Sequence, residues 1–221
     1  MTVTPEHFDR RSFVYPRLTA AGARFADAGD AAVASAYPDS PTPPLGLVDA
    51  SPLARTGIKG PRALAWLAEA GWPVPDTNNR GVATDEGALV LRLGDREALV
   101  LPPFAGGTAA VRALDAAIPG TGAWAVPRRD SHAWFVLRGD AAVDCLAKLC
   151  GVDLRPGAFP AGAVAQTSVA RLSAVVCRDP VSAVPAFHLL ADSASAIWFW
   201  DALLDAMQEF GGGPLGSAEL T

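Results

Sequence analysis

The sequence predicts an α+β fold built from two similar halves, each running strand, helix, strand, strand, helix, with mainly antiparallel sheet and helices packed against it. Three observations lead there. A strand–glycine–helix unit occurs twice, as ASPLARTGIKGPRALAWLAEAGWPV from Ala50 to Val74 and as DSHAWFVLRGDAAVDCLAKLCGVDL from Asp130 to Leu154. Aligned, Ser51 matches Ser131, Gly60 matches Gly139 and Leu67 matches Leu146. The interval of roughly 80 residues is too long for a solenoid period and fits two copies of one small half in a single domain. Each unit is then followed by an apolar strand pair and a closing helix. Finally, 221 residues, 50% of them hydrophobic and 19% charged, suffice for one core and are tight for two.

The elements follow in order. Residues 1–44 read as a proline-rich arm, partly extended, because Pro38, Pro41, Pro43 and Pro44 crowd its end and block helix and sheet ladders. Within the arm, the alanine-rich stretch from Ala20 to Ala34 is expected to form a short, weakly anchored helix. The compact domain is expected over 45–210. Leu53 to Ile58 reads as a strand, and Gly60-Pro61 opens a helix, since proline suits the first helical position. On that helix Ala63, Leu64, Leu67 and Ala70 share a face opposite Arg62 and Glu69, and Gly71 ends it. The run WPVPDTNNRG is a loop, and ALVLRLGDREALVLP is a hairpin turning at Gly94-Asp95. FAGGTAAVRALDAAIPG reads as a helix with Thr108 as N-cap and Pro119 as stop.

The second half gives a strand from Ala133 to Leu137 and a helix from Asp140 to Leu149. Strands follow at Val164–Val169, Leu172–Cys177 and Phe187–Ala191. The closing helix runs from Ser193 to Phe210. Residues 211–221, GGGPLGSAELT, read as a flexible tail.

Charge and composition exclude several function classes. The formal net charge of -5 and the lack of a basic stripe argue against nucleic acid. No apolar run reaches the length of a membrane span, and MTVTPEHFDRRSF lacks the apolar core of a secretory signal. Three unevenly spaced cysteines, Cys145, Cys150 and Cys177, fit a reduced chain, so the expected location is the cytoplasm.

Taken together, LVDASPLARTGIKGPRALAWL, ALVLRLGDREALVLP and LRGDAAVDCLAKLCGVDLRPGAFPAGAVAQTSVARLSAVVCR resemble the gamma subunit of heterotetrameric sarcosine oxidase, as does the closing FHLLADSASAIWFWDALLDAMQEF. The resemblance covers about residues 45 to 210 and is most specific at GVDLRPGAFPAGAVAQTSVAR, which carries Gln166-Thr167. Gamma subunits are similar in turn to the folate-binding domain of the glycine-cleavage aminomethyltransferases, whose FDVSH start LVDAS resembles.

The resemblance implies a non-catalytic subunit of a complex that oxidises sarcosine to glycine, with the methyl carbon passed to tetrahydrofolate or released as formaldehyde. It implies an alpha subunit carrying NAD and the tetrahydrofolate site, a beta subunit carrying FAD and FMN, a delta subunit binding zinc, and no cofactor on this chain. A gamma-like subunit of another N-methyl amino acid dehydrogenase is an alternative. So are a free-standing folate-binding or aminomethyltransferase-like protein and a homo-oligomeric structural module. The chain departs from the aminomethyltransferases at ATDEGALVLR, where Asp85-Glu86 is shifted relative to their aspartate pair. Their C-terminal barrel is expected to be missing. The cysteine motif of the related iron–sulfur-maintenance proteins is replaced by FPAGAVAQTSV.

Few residues suggest chemistry. There is no G-x-G-x-x-G and no P-loop lysine, and a turn accounts for Gly106-Gly107 better than an anion site does. His7, His132 and His188 are too scattered for a metal set, and none is expected. Cys145 and Cys150 share an apolar helix face and are expected as buried hydrophobes. His132, beside Arg129 and Asp130, could be a general base but lacks a nucleophile motif, so a strand-edge histidine is favoured. Asp49 and Asp85 are the candidates for folate contact, and no catalytic residue is expected. On the last helix Ala196, Trp200, Leu203, Met207 and Phe210 form the core face. Trp198 projects away among Asp201, Asp205 and Glu209 and is the candidate anchor for a partner subunit.

Overall fold

The computed structural model describes residues 3–105 and 107–220. Its elements are α1 (Tyr15–Ala20), β1 (Arg24–Asp27), β2 (Ala32–Ala36), β3 (Gly46–Asp49), β4 (Thr56–Lys59), α2 (Ala63–Glu69), β5 (Arg80–Ala83), β6 (Leu89–Gly94), β7 (Glu97–Leu101), α3 (Ala109–Ala117), β8 (Trp124–Val126), β9 (His132–Arg138), α4 (Ala142–Ala147), β10 (Val164–Val169), β11 (Leu172–Arg178), β12 (Ala186–Asp192), α5 (Ala196–Met207) and β13 (Gly213–Pro214).

The repeat seen in the sequence becomes a repeat of topology. One sheet is ordered β5-β6-β7-β4-β8 and the other β10-β11-β12-β9-β3-β13. Within each half the four strands pair antiparallel in the same order, with α2 matching α4 and α3 matching α5. The halves also exchange strands. β3, at the start of the first half, pairs with β9 of the second, and β8, at the start of the second, pairs with β4 of the first. The free edges of β5 and β10 meet where Gly81 N donates to Gly162 O at 2.7 Å and Val164 N donates to Asn79 O at 3.0 Å. Gln166 locks this seam by donating to Asn79 Oδ1 at 3.0 Å and to Leu93 O at 2.7 Å.

The two sheets stack with helices outside both, which explains the run HAWFVLR. Side chains alternate across a strand. Trp134 and Val136 enter the core between the sheets, while Phe135 and Leu137 enter the core shared with α1, α4 and α5. A strand covered on both faces reads as continuously apolar rather than alternating. A third cluster, with Ile58, Leu67, Val100 and Leu114, seats α2 and α3 on the first sheet.

The structure corrects the sequence reading at both ends. Residues 24–36 form the hairpin β1–β2, not a helix. Gly22 (φ +79°) and Gly29 (φ +94°) hold left-handed backbone that interrupts helix, and Asp27 Oδ1 accepts from Gly29 N at 2.6 Å to close the turn. The arm is not loosely attached: Val14 and Leu18 are fully buried in the core beneath α5. In the tail expected to be flexible, β13 pairs parallel to β3, and Leu215 is buried with its N–H on Leu47 O at 2.9 Å. The strand expected from Leu53 to Ile58 begins only at Thr56, because Leu53 N turns back to Ala50 O, and β3 precedes it within the domain. Thr108 precedes α3 but does not cap it; its Oγ1 accepts from Arg112 Nε at 3.0 Å. Gly106 lies outside the described residues.

Candidate functional site

Between the sheets, β9, β12 and the turn that follows β11 bring three polar side chains into line. Trp134 and His188 are diagonal neighbours in the β9–β12 ladder, where Leu190 faces Trp134 and His188 faces Val136. Trp134 Nε1 donates to His188 Nδ1 at 3.2 Å, and His188 Nε2 lies 3.1 Å from Asp179 Oδ2. An indole N–H can only donate, so Nδ1 must accept and Nε2 must carry the proton that reaches Asp179. The other carboxylate oxygen accepts from Val181 N at 2.8 Å and Ser182 N at 2.9 Å. Burial works to raise the Asp179 carboxyl, but the His188 hydrogen bond and these two amides outweigh it and hold it below its ordinary value. Phe104 stacks on the imidazole at 6.2 Å between centroids and 7° between planes.

A cavity of about 340 Å³ opens over this group, lined by Glu86, Phe104, Arg138, Asp179, Ser182 and His188. Pro103 borders it and two neighbours. One, of about 550 Å³, is lined by Leu53, Thr108 and Arg112, and the other, of about 940 Å³, by Trp72, Asp85 and Ala105. Arg138 has no ion-pair partner among the described residues.

The predicted site residues do not converge on these cavities. Asp85 is exposed and lines the largest. Asp49 is 1% exposed and lines none of the three. Its Oδ1 accepts from Ser51 N at 3.1 Å, and burial pushes its carboxyl up against hydrogen bonds from Ser12 and Ser51 and the charge of Arg55. Arg55, equally enclosed, donates to the carbonyls of Ser51 at 2.9 Å and Leu53 at 3.2 Å, and burial lowers it to about 9. Arg55 also donates from Nη2 to the carbonyls of Arg129 at 3.2 Å and of His132, which ties the turn after β3 to the start of β9.

His132 begins β9 half-buried. Arg128 Nη1 lies 3.2 Å from its Nε2 and must donate there, which leaves Nδ1–H for Ser131 Oγ at 2.8 Å. Burial, then the charges of Arg128 and Arg55, lower it to about 4. An imidazole so weakly basic and with both nitrogens engaged is a poor general base, in line with the strand-edge reading. All three cysteines are buried, and burial pushes Cys145 up to about 11. No three His, Cys, Asp or Glu among the described residues could hold a metal ion. Among the described residues no helix is long and apolar enough to cross a membrane. Trp198 is 49% exposed on α5.

The Trp134–His188–Asp179 line escaped the sequence reading. Its one available signal was the β11–β12 hairpin, which brings Asp179 back beside Ala186 through Asp179 N to Ala186 O at 2.9 Å.

Residues 75–220 match the GCVT N-terminal domain family. The chain belongs to that family. An aminomethyltransferase of Saccharopolyspora erythraea is 30% identical over 139 residues, which is 63% of this GCVT-domain chain and 37% of that protein. The GCVT-domain chain therefore spans little more than a third of that curated relative. Its fold is similar to a chain of the heterotetrameric sarcosine oxidase from Corynebacterium sp. U-96, with TM-score 0.67 and 22% identity over 94% of this chain and 99% of that one. It is also similar to the glycine cleavage system aminomethyltransferase T from Bartonella henselae, with TM-score 0.71 and 14% identity over 95% of this chain and 60% of that one. The α+β architecture is thus that of aminomethyltransferase folate-binding domains.

Proposed function

We propose that this GCVT-domain chain is the gamma subunit of a sarcosine-oxidase-like flavoenzyme and contributes structure rather than chemistry. The observation that carries the reading is the central imidazole. His188 spends one nitrogen on Trp134 and the other on Asp179, so it has none left to move a proton to a bound molecule. The fold likeness to a sarcosine oxidase chain supports the same reading. On this proposal FAD, FMN, NAD and tetrahydrofolate sit in alpha and beta partners, zinc sits in a delta partner, and the complex works in the cytoplasm. The oxidised substrate is sarcosine or a related N-methyl amino acid.

A second reading, folate binding by the chain itself, is favoured by the 340 Å³ cavity, where Phe104 offers a ring face and Arg138 a guanidinium with no ion-pair partner among the described residues. Purifying the tagged full chain from its native host separates the two. The first reading expects larger flavin-containing chains to co-purify and sarcosine to be oxidised by the complex but not by the chain alone. Turnover, or tight tetrahydrofolate binding, by the solitary chain would establish the second and overturn the first.

A further inference from the structure

The outward face of α5 combines two features that rarely share solvent. Ile197 and Trp198 stand 42% and 49% exposed on its first turn. Helical spacing puts Asp201 and Asp205 on the same stripe. Two nearby acids are already neutralised: Asp201 by Arg17, with Nη2 to Oδ2 at 2.7 Å and Nε to Oδ1 at 2.8 Å, and Glu209 by Lys148 at 2.8 Å. Asp205 is exposed and has no ion-pair partner among the described residues. Asp192, the last residue of β12, is exposed and among the described residues accepts only from Ala194 N at 2.8 Å.

We infer that this stripe docks into a partner protein chain offering an apolar pocket for Ile197 and Trp198 and a lysine or arginine for Asp205, about 10 Å farther along the helix at 1.5 Å rise per residue. The inference rests on the subunit reading above and adds to it the contact face and the chemistry of the partner. Charge selects the occupant. A second copy would set uncompensated acids against their own kind in a chain of formal charge -5, and an anionic lipid surface would meet the same repulsion. Tryptophan is the residue most often found to dominate such contacts, and a helix face carries it rigidly.

The test uses the partner chains recovered with the full-length protein, titrated with wild type and variants at two salt concentrations. Trp198→Ala should weaken association at least tenfold without lowering the melting temperature of the chain alone. Trp124→Ala, which removes the other tryptophan that is 49% exposed, should bind like wild type. Asp205→Asn should bind a few-fold more weakly and with a shallower salt dependence. Wild-type affinity for Trp198→Ala would overturn the docking face while leaving the subunit reading intact. Self-association of the wild-type chain that is lost in Trp198→Ala would overturn the choice of occupant. Recovery of the chain with no larger partner would overturn both.

Discussion

Gly60 and Gly139 hold the same strained position in the two halves. Each follows the strand that leads into a helix, with φ of +143° and +146°. Each also faces the incoming strand of the other half. A Cβ at Gly60 would lie 2.5 Å from Gly122 O, and one at Gly139 would lie 2.4 Å from Pro44 O. Strand exchange therefore demands glycine twice over, once for the dihedral and once for the approach. Alanine at either site should destabilise the fold by about 1–3 kcal/mol from the backbone alone. Gly71→Ala, where φ is +84° but nothing lies within 4 Å, should cost only about 1 kcal/mol. Denaturant midpoints of the three variants check the order, and a Gly139→Ala as mild as Gly71→Ala would refute it.

The chain from Trp134 through His188 to Asp179 makes a spectroscopic prediction. Nitrogen NMR at pH 7 should show His188 Nε2 protonated and Nδ1 bare. Trp134→Phe, which removes the donor, should cost about 1–2 kcal/mol because it leaves Nδ1 buried and unpaired. Asp179→Ala should cost more, about 2–3 kcal/mol, since it orphans the imidazole N–H and the amides of Val181 and Ser182 together. A proton on Nδ1 would contradict the hydrogen-bond direction and remove the main support for the non-catalytic reading.

Asp30, at the tip of the β1–β2 hairpin, predicts how stability follows pH. Arg129 grips it with both terminal nitrogens at 2.5 and 2.6 Å, and Arg112 adds a contact at 2.5 Å. The Arg129 hydrogen bond, with Arg112 helping and burial opposing, holds the carboxyl far below the usual range. A depressed carboxylate contributes stability above its unfolded value of about 3.9, and that contribution fades as pH falls toward the folded value. Asp30→Asn should therefore lose about 1 kcal/mol at pH 7, a small figure because the pair is partly exposed. The gap to wild type should narrow below about pH 4 and in 1 M salt. A gap that is constant from pH 7 to pH 2 would mean the loss is packing rather than charge.

The parts legible in the sequence were those fixed by local pattern. Leu67 and Leu146, matched by the repeat, are both fully buried, and Gly60 and Gly139 fall at equivalent strand ends. The hairpin β6–β7 followed from two apolar runs joined by Gly94-Asp95. What failed depended on distant chain. Ala32, Val33 and Ala34 carry helix-compatible composition, yet they are buried as a strand because β1 and the core around Leu18 claim them. The tail reads as glycine-rich coil until β3 offers it a ladder. The candidate site suffered most, because His188 meets Trp134 across 54 positions and nothing along the chain marks that pairing.

Leu215 turns the last of these corrections into a measurement. It is 6% exposed, belongs to the cluster between the sheets, and lies so close to Gly46 that a Cβ there would sit 2.5 Å from its Cδ2. Gly213 N on Leu45 O at 3.0 Å and Leu215 N on Leu47 O at 2.9 Å fix its depth. Leu215→Ala should cost about 2–5 kcal/mol, the range for emptying a buried leucine site. Gly46→Ala should cost a comparable amount by forcing the same leucine out. Removing 213–221 should do at least as much harm, because the ladder bonds go with the side chain. An ordinary flexible tail predicts the opposite, a truncated chain with wild-type stability. Amide exchange discriminates without mutation, since the N–H groups of Gly213 and Leu215 should be protected while that of Gly157, in an exposed turn, exchanges freely.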